Sequence, residues 1–163
     1  MTTPMGFNKT AVFVREGYEF TFKSWEDLKG KRVGMVQGVS MGQEFDTFVE
    51  KNTLVDRVSS RKQNYDKLAI GRIDLIATGL QTGLIQSALY GYKDKIVPLP
   101  HPIHPIENGR LYISMSKQSK YIDYLKKAEL EIVSNKSYPR LVNALLSYYT
   151  DFYVNNQLKN NIE

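Results

Sequence analysis

Short segments rich in β-branched residues alternate with segments of helical periodicity along most of the chain. The predicted strands are, in order, residues 11–15, 32–36, 54–59, 73–77, 95–99 and 111–115. The predicted helices between them run over about 42–51, from 64 to a stop at 71, and over 80–90. Such alternation is typical of βαβ units around a parallel sheet. The sequence therefore predicts an α/β fold with a mostly parallel sheet flanked by helices.

Short polar sequences mark where the predicted helices begin and end. Ser24 and Asp27 have the spacing of a capping box, and Gly30 can end the single helical turn that follows. Asn64 can cap the second main helix, with Gly71 as its terminator. The positions predicted to face inward on the first two main helices are Phe45, Phe48, Val49, Tyr65, Leu68 and Ala69.

After residue 116 the pattern becomes helical only. One apolar face is predicted from Tyr121, Tyr124, Leu125, Ala128 and Ile132, and a second from Leu141, Val142, Leu145, Leu146 and Tyr149. Two amphipathic helices need an apolar surface to cover. The preceding α/β units already supply helices for their own sheet, so we expect this pair to pack elsewhere.

Composition limits the classes of function. The chain has no cysteine, which excludes disulfides, thiolate metal sites and cysteine nucleophiles. Its net charge is +5, and its basic residues are spread along the sequence. The densest basic runs, Lys29–Arg32 and Arg61–Lys62, have no interleaved aromatic residues, so nucleic acid is not an expected partner. No apolar run approaches the roughly 20 residues of a membrane span. Nor does Met1–Gly6 begin a secretory leader, so we expect a soluble chain as given.

The most informative local feature is the turn after the second predicted strand. Gly34–Gln43 ends a strand, turns at Gly38 and opens a helix, whose unpaired backbone amides attract anionic groups. The candidate ligand contacts in this turn are Val39, Ser40 and the backbone of Met41. Ser40 with Gln43 also has the spacing of a capping box, so capping alone and capping combined with ligand contact both remain open.

A second loop, predicted over residues 78–83, follows the strand at 73–77. It lies at the same carboxyl edge of a parallel sheet as the Ser40 turn, and ligands of open α/β sheets bind at that edge. Thr78, Gly79 and Gln81 are the candidate contacts from this loop. Together the two loops predict a pocket lined by backbone amides and short polar side chains.

No catalytic set or metal site is predicted. His101 and His104 have a metal-like spacing, but only Glu107 lies near them, and zinc normally requires three or four ligands. Both histidines fall in one Pro-rich connection, Pro98–Pro105, and no Gly-x-Ser-x-Gly elbow is present. We therefore expect a surface loop there, no cofactor, and a protein that is not an enzyme.

Three sequence motifs resemble family 3 of the bacterial extracellular solute-binding proteins. Ser24–Gly34, followed by Gln37–Ser40, is similar to the opening of that family's second lobe. Gly71–Asp74 resembles its Gly-Arg-x-Asp strand start, and Leu111–Lys117 the strand that returns to the first lobe. The resemblance covers the chain from about residue 3 to 149.

The resemblance implies a type II periplasmic-binding fold, in which two α/β lobes joined by crossover strands close on a small solute. Residues 1–10 would be a remnant of the first lobe, 11–116 the second lobe with crossover strands at 11–15 and 111–115, and 117–163 C-terminal helices of the first lobe. Most of the first lobe would be missing, so we expect a truncated chain. The C-terminal helices would stay partly uncovered unless a second copy forms a homodimer through them.

The resemblance also implies a function. Ser40 matches the residue that holds a ligand carboxylate, whereas Val39 replaces a frequent Thr or Ser. Gly79, beside Thr78, stands where a carboxylate usually grips the ligand amine. The expected role is capture of a small polar, amino-acid-like solute for the membrane permease of an ABC transporter, in the periplasm, with a signal peptide on the parent protein. A sensory domain, a transcription-regulator effector domain and a cell-wall enzyme are the alternatives.

Overall fold

The computed structural model describes residues 6–7, 9–103, 110–111 and 116–134, with residues 144–145, 147–148 and 151 of a further helical stretch. The strands are β1 (Gly6–Phe7), β2 (Thr10–Arg15), β3 (Arg32–Val36), β4 (Leu54–Val58), β5 (Leu75–Gly79), β6 (Ile96–Pro102) and β7 (Arg110–Leu111). The helices are a 3₁₀ helix (Trp25–Leu28), α1 (Gln43–Asn52), α2 (Arg61–Ala69), α3 (Leu80–Leu89) and α4 (Ile122–Ser134). None of these helices is long and apolar enough to cross a membrane.

Five strands form one sheet in the order β4-β3-β5-β2-β6. β3 is parallel to both β4 and β5, and β2 is antiparallel to both β5 and β6. β2 thus runs against the other four strands, which all point the same way. The predicted α/β fold is confirmed, with a mixed sheet in which two strand pairings are parallel and two are antiparallel.

Both faces of the sheet are covered, and β2 shows how the sequence specifies this. Because side chains alternate between faces along a strand, Val12 and Val14 enter one core cluster, and Ala11 and Phe13 enter the other. The 3₁₀ helix and α1 complete the first cluster, whereas α2 and α3 border the second. The sequence of a strand that is buried on both faces is a continuous apolar run, as it is in β2.

The apolar residues of α1 that were predicted to face inward cover the first face of the sheet. Phe45 and Val49 are fully buried, and Phe48 packs against them. The Trp25 ring meets the Phe45 ring edge-on with centroids 5.4 Å apart, and its indole N–H donates to the carbonyl of Ile103 at 2.7 Å. The predicted single helical turn is present as the 3₁₀ helix, with Asp27 accepting from the backbone N–H groups of residues 23 and 24.

Three local predictions are wrong in position. Asn64 does not cap α2, because the helix begins three residues earlier, where the Ser60 hydroxyl accepts from the Gln63 N–H. β5 begins at Leu75, two residues later than predicted. Residues 98–102 are not a connection but part of β6, where prolines are tolerated because β6 is an edge strand.

A separate two-stranded ribbon, β1 with β7, pairs antiparallel with Gly6 opposite Leu111. Residues 11–15, predicted as the outward crossover, lie in β2 of the main sheet. Residues 112–115 of the predicted return strand lie outside the described residues. On α4, Tyr124 and Leu130 are 71% and 70% exposed. The division of the chain between two lobes remains a prediction.

Asp74, which immediately precedes β5, links that strand to β3 through hydrogen bonds with Arg32. Its carboxylate accepts from the Arg32 backbone N–H at 2.7 Å and from the Arg32 guanidinium at 2.5 Å, while its own N–H donates to the Arg32 carbonyl at 2.8 Å. The hydrogen bonds from Arg32 lower the pKa of the Asp74 carboxyl. These hydrogen bonds fix the register of β3 relative to β5, and so the relative position of their carboxyl ends.

Replacing Asp74 by asparagine is expected to lower the free energy of unfolding at neutral pH by about 1 kcal/mol, a small value because both partners are partly exposed. Since the folded-state pKa is depressed, the contribution is present above the ordinary value of 3.8 and is lost as pH falls below it. Urea denaturation of both proteins at pH 7 and pH 2.5 checks this. Equal stability at pH 7, or a gap that persists in acid, would contradict it.

Candidate functional site

The carboxyl ends of β3 and β5 lie side by side. The two strands are parallel and adjacent, with Val33 opposite Leu75 and Gly34 opposite Ile76. The turn after β3 therefore opens at the same edge as the end of β5. Gly38 and Gly42 take φ angles of +74° and +108° in this turn, a left-handed region that other residues rarely adopt. The turn can reverse from strand to helix within a few residues because glycine stands at both positions.

A cavity of about 50 Å³ lies at this edge. It is bordered by Gly34, Met35, Val36, Val39, Met41, Arg61, Asn64, Tyr65, Ile76, Ala77, Thr78 and Gln86. Three of the six predicted contact residues are thus brought together: Val39 and Met41 from one turn, and Thr78 from the neighbouring strand. The expectation that both segments face one gap agrees with this placement.

Ser40 points to a different side of the turn. Its hydroxyl donates to the Asp46 carboxylate at 2.5 Å, and the Met41 backbone N–H donates to the same carboxylate at 3.1 Å. The predicted capping box of Ser40 with Gln43 does not form, because Ser40 turns to Asp46 and accepts from the Gly42 N–H at 3.1 Å. Asp46 is a half-buried residue of α1 that organises the turn.

Gly79 and Gln81 do not lie in the predicted loop. β5 runs to Gly79, which pairs with Thr10, and α3 begins at the next residue. Gln81 is consequently in the first turn of α3, where its side-chain carbonyl oxygen is buried and has no hydrogen-bond partner. Neither residue borders the cavity, so of the second predicted loop only Thr78 reaches it.

Four polar residues of the cavity were not predicted as contacts: Arg61, Asn64 and Tyr65 from α2, and Gln86 from α3. The Tyr65 hydroxyl can donate to the carbonyl of Gly83 or to the Gln86 side chain, each at 3.3 Å. Burial raises the pKa of Tyr65, so its hydroxyl stays protonated. The sequence held a signal for Asn64, because it lies four residues before Leu68 on the apolar face of α2.

The charge at the border of the cavity is positive. Of the described residues that border it, Arg61 is the only charged one, and none carries a carboxylate. The remaining lining is apolar or carries neutral amides and hydroxyls. A cationic group would meet Arg61 there without an ion-pair partner, so the cavity favours a neutral or anionic polar group.

The histidine loop gives no metal site within the described residues. His101 is an exposed residue of β6, whereas His104 and Glu107 lie outside the described part. Across the described ranges no group of three or more His, Asp or Glu side chains could hold a metal ion.

Comparison of this fold with solved structures finds type II periplasmic-binding-protein folds. An ancestral arginine-binding protein bound to arginine is 21% identical, with a TM-score of 0.63 over 86% of this chain. An amino acid ABC transporter substrate-binding protein from Streptococcus pneumoniae, bound to L-arginine, is 19% identical, with a TM-score of 0.61 over 99% of this chain. The ligand-binding core of GluR0 in complex with L-glutamate is 10% identical, with a TM-score of 0.67 over 94% of this chain.

The structural similarity to these proteins shows the fold and confirms the fold predicted from the sequence. The chain spans 61% of the first two of these proteins and 62% of the third. No family model matches the sequence, and no curated protein matches it significantly.

Proposed function

We propose that this chain supplies one wall of a solute-binding cleft, in the solute-binding component of an ABC transporter. The observation that carries the proposal is the cavity shared by Val39, Met41 and Thr78 at the carboxyl ends of two parallel strands. Ligands of open α/β sheets bind at that edge. The solved relatives with this fold include proteins bound to arginine and to glutamate, which supports a small amino-acid-like solute.

The proposed mechanism is capture without bond chemistry. The cavity is small, about 50 Å³, and opens to solvent, so a solute held there needs a second wall to be enclosed. Closure of another lobe around a hinge would supply that wall and exclude water. The β1–β7 ribbon, separate from the main sheet, is where we place the connection between the lobes.

The Ser40 turn has donors that suit a carboxylate. The Ser40 hydroxyl and the Met41 N–H both donate to Asp46, so they are already oriented towards a negatively charged oxygen. A solute carboxylate would have to exchange with Asp46 for these donors. At the end of β5, Gly79 offers no carboxylate for a solute ammonium, which argues against recognition of the α-ammonium group by this wall.

The partners and the cellular location are part of the same proposal. A transporter component would work with a membrane permease, in the periplasm or at the cell exterior, and needs no cofactor and no nucleic acid. A ligand-binding sensory domain and the effector domain of a transcription regulator are the alternatives. The exposed tyrosines and leucines of the C-terminal helices would be covered by the other lobe, or by a second copy in a homodimer.

The 163-residue chain alone is expected to bind amino acids only weakly, because one wall leaves most of a solute in water. Isothermal titration calorimetry with a panel of amino acids, at micromolar protein, should detect no affinity in the micromolar range or tighter. Tight binding by this chain alone would show that no second wall is required.

A further inference from the structure

One buried polar atom in the cavity has no partner. Asn64 is 4% exposed, and its side-chain carbonyl oxygen makes no hydrogen bond. A buried carbonyl without a donor costs roughly 1–3 kcal/mol. Such an atom at the wall of a cavity indicates a group that enters from outside the chain.

The close contact of Asn64 with β3 holds this atom in place. A Cβ added to Gly34 would lie 2.7 Å from the Asn64 carbonyl oxygen and 2.4 Å from Ile73 Cδ1. Glycine at this position lets the Asn64 amide lie directly against the strand, beside the cavity. The helix α2 then presents Asn64 inward and Arg61, one turn earlier, at the exposed rim.

The chemistry of the surroundings defines the group that fits. The Asn64 carbonyl requires a donor, whereas Arg61 offers only donors and excludes a cation. A carboxylate satisfies Arg61 but has no proton for Asn64, and a guanidinium satisfies Asn64 but opposes Arg61. A carboxamide satisfies both, and it pairs with Asn64 in either orientation of the asparagine amide.

Size agrees with this assignment. The cavity measures about 50 Å³. That leaves room for a group the size of a terminal amide. We propose that this cavity is a specificity subsite that takes the carboxamide group of the solute, as in a glutamine-like side chain. This proposal rests on the solute-binding function proposed above.

The test is a ¹⁵N NMR titration of the full 163-residue chain, a method that measures weak affinities. The probes are L-glutamine, L-glutamate, L-arginine and L-alanine. L-Glutamine should shift the Asn64 side-chain amide together with the backbone amides of Ser40 and Thr78, and should bind several-fold more tightly than the other three. In Asn64→Ala, which keeps a good helix-forming residue, its affinity should fall several-fold, to that of L-alanine.

The matched control is Gln63→Ala, which removes a neighbouring amide on α2 that does not border the cavity. It should leave the order of affinities unchanged. Arg61→Gln should raise the affinity for L-arginine relative to L-glutamine. If Ser40 and Thr78 respond but Asn64 does not, or if Asn64→Ala binds all four probes as before, water fills the cavity and the subsite is wrong while solute binding stands. If no residue of this edge responds to any probe, both proposals fail.

Discussion

Replacing Gly83 by alanine is expected to lower the free energy of unfolding by about 3 kcal/mol, at the upper end of the cost of overpacking a core. In an isolated helix this change would stabilise, since glycine costs about 1 kcal/mol relative to alanine. Here the added methyl group would lie 2.1 Å from Cζ of Phe13 and 2.3 Å from a second ring carbon. Phe13 is fully buried in the central part of the sheet and has no free direction in which to move.

Thr82→Ala, one residue earlier in α3, is the control for helix propensity. Thr82 is only half-buried, so this change should alter stability by less than about 0.5 kcal/mol. Urea denaturation followed by circular dichroism measures both variants. A Gly83→Ala protein as stable as the parent would show that α3 does not pack against Phe13 as described.

The fold was predictable because its signals are local. The unbroken apolar run Ala11–Val14 predicts a strand buried on both faces, and the stripe of Phe45 and Val49 predicts a helix that covers one of them. Parallel strands joined by helices then place the Ser40 turn and Thr78 at one edge, whatever the exact strand limits are. This is why a two-residue error in β5 left the cavity in the expected place.

The chemistry of the cavity was less predictable, because it depends on contacts between distant segments. Asn64 has the residue type of a helix cap, and only the start of α2 at Arg61 shows that it lies within the helix and is buried. Asp46 has the pattern of a solvent-exposed helix residue, but the reversal at Gly42 brings it to the Ser40 hydroxyl. Neither the helix register nor the path of the turn follows from residue types alone.

The sequence predicts that α4 is amphipathic, but it does not predict what covers its apolar face. Its periodicity predicts an amphipathic helix, and the described helix Ile122–Ser134 agrees with that prediction. The partner of the apolar face is not encoded by periodicity, because any apolar surface of matching shape would serve. Tyr121 and Tyr124 are 52% and 71% exposed, which leaves that face available to another lobe or another copy.

The central claim is that the Ser40 turn and the end of β5 form one solute site. Because the chain has no cysteine, single thiols can report on each side of it. Val39→Cys and Thr78→Cys place a thiol on either wall of the cavity, and Tyr124→Cys places one on α4, away from it. A bound solute should shield the first two thiols, and at ten times its Kd it should slow their alkylation about tenfold.

The decisive measurement is therefore the alkylation rate of these three variants as L-glutamine is raised through the millimolar range. We expect Cys at positions 39 and 78 to be protected with the same concentration dependence, while Cys at position 124 keeps its rate. Protection of only one wall, two different midpoints, or unchanged rates at all three positions would contradict a shared site.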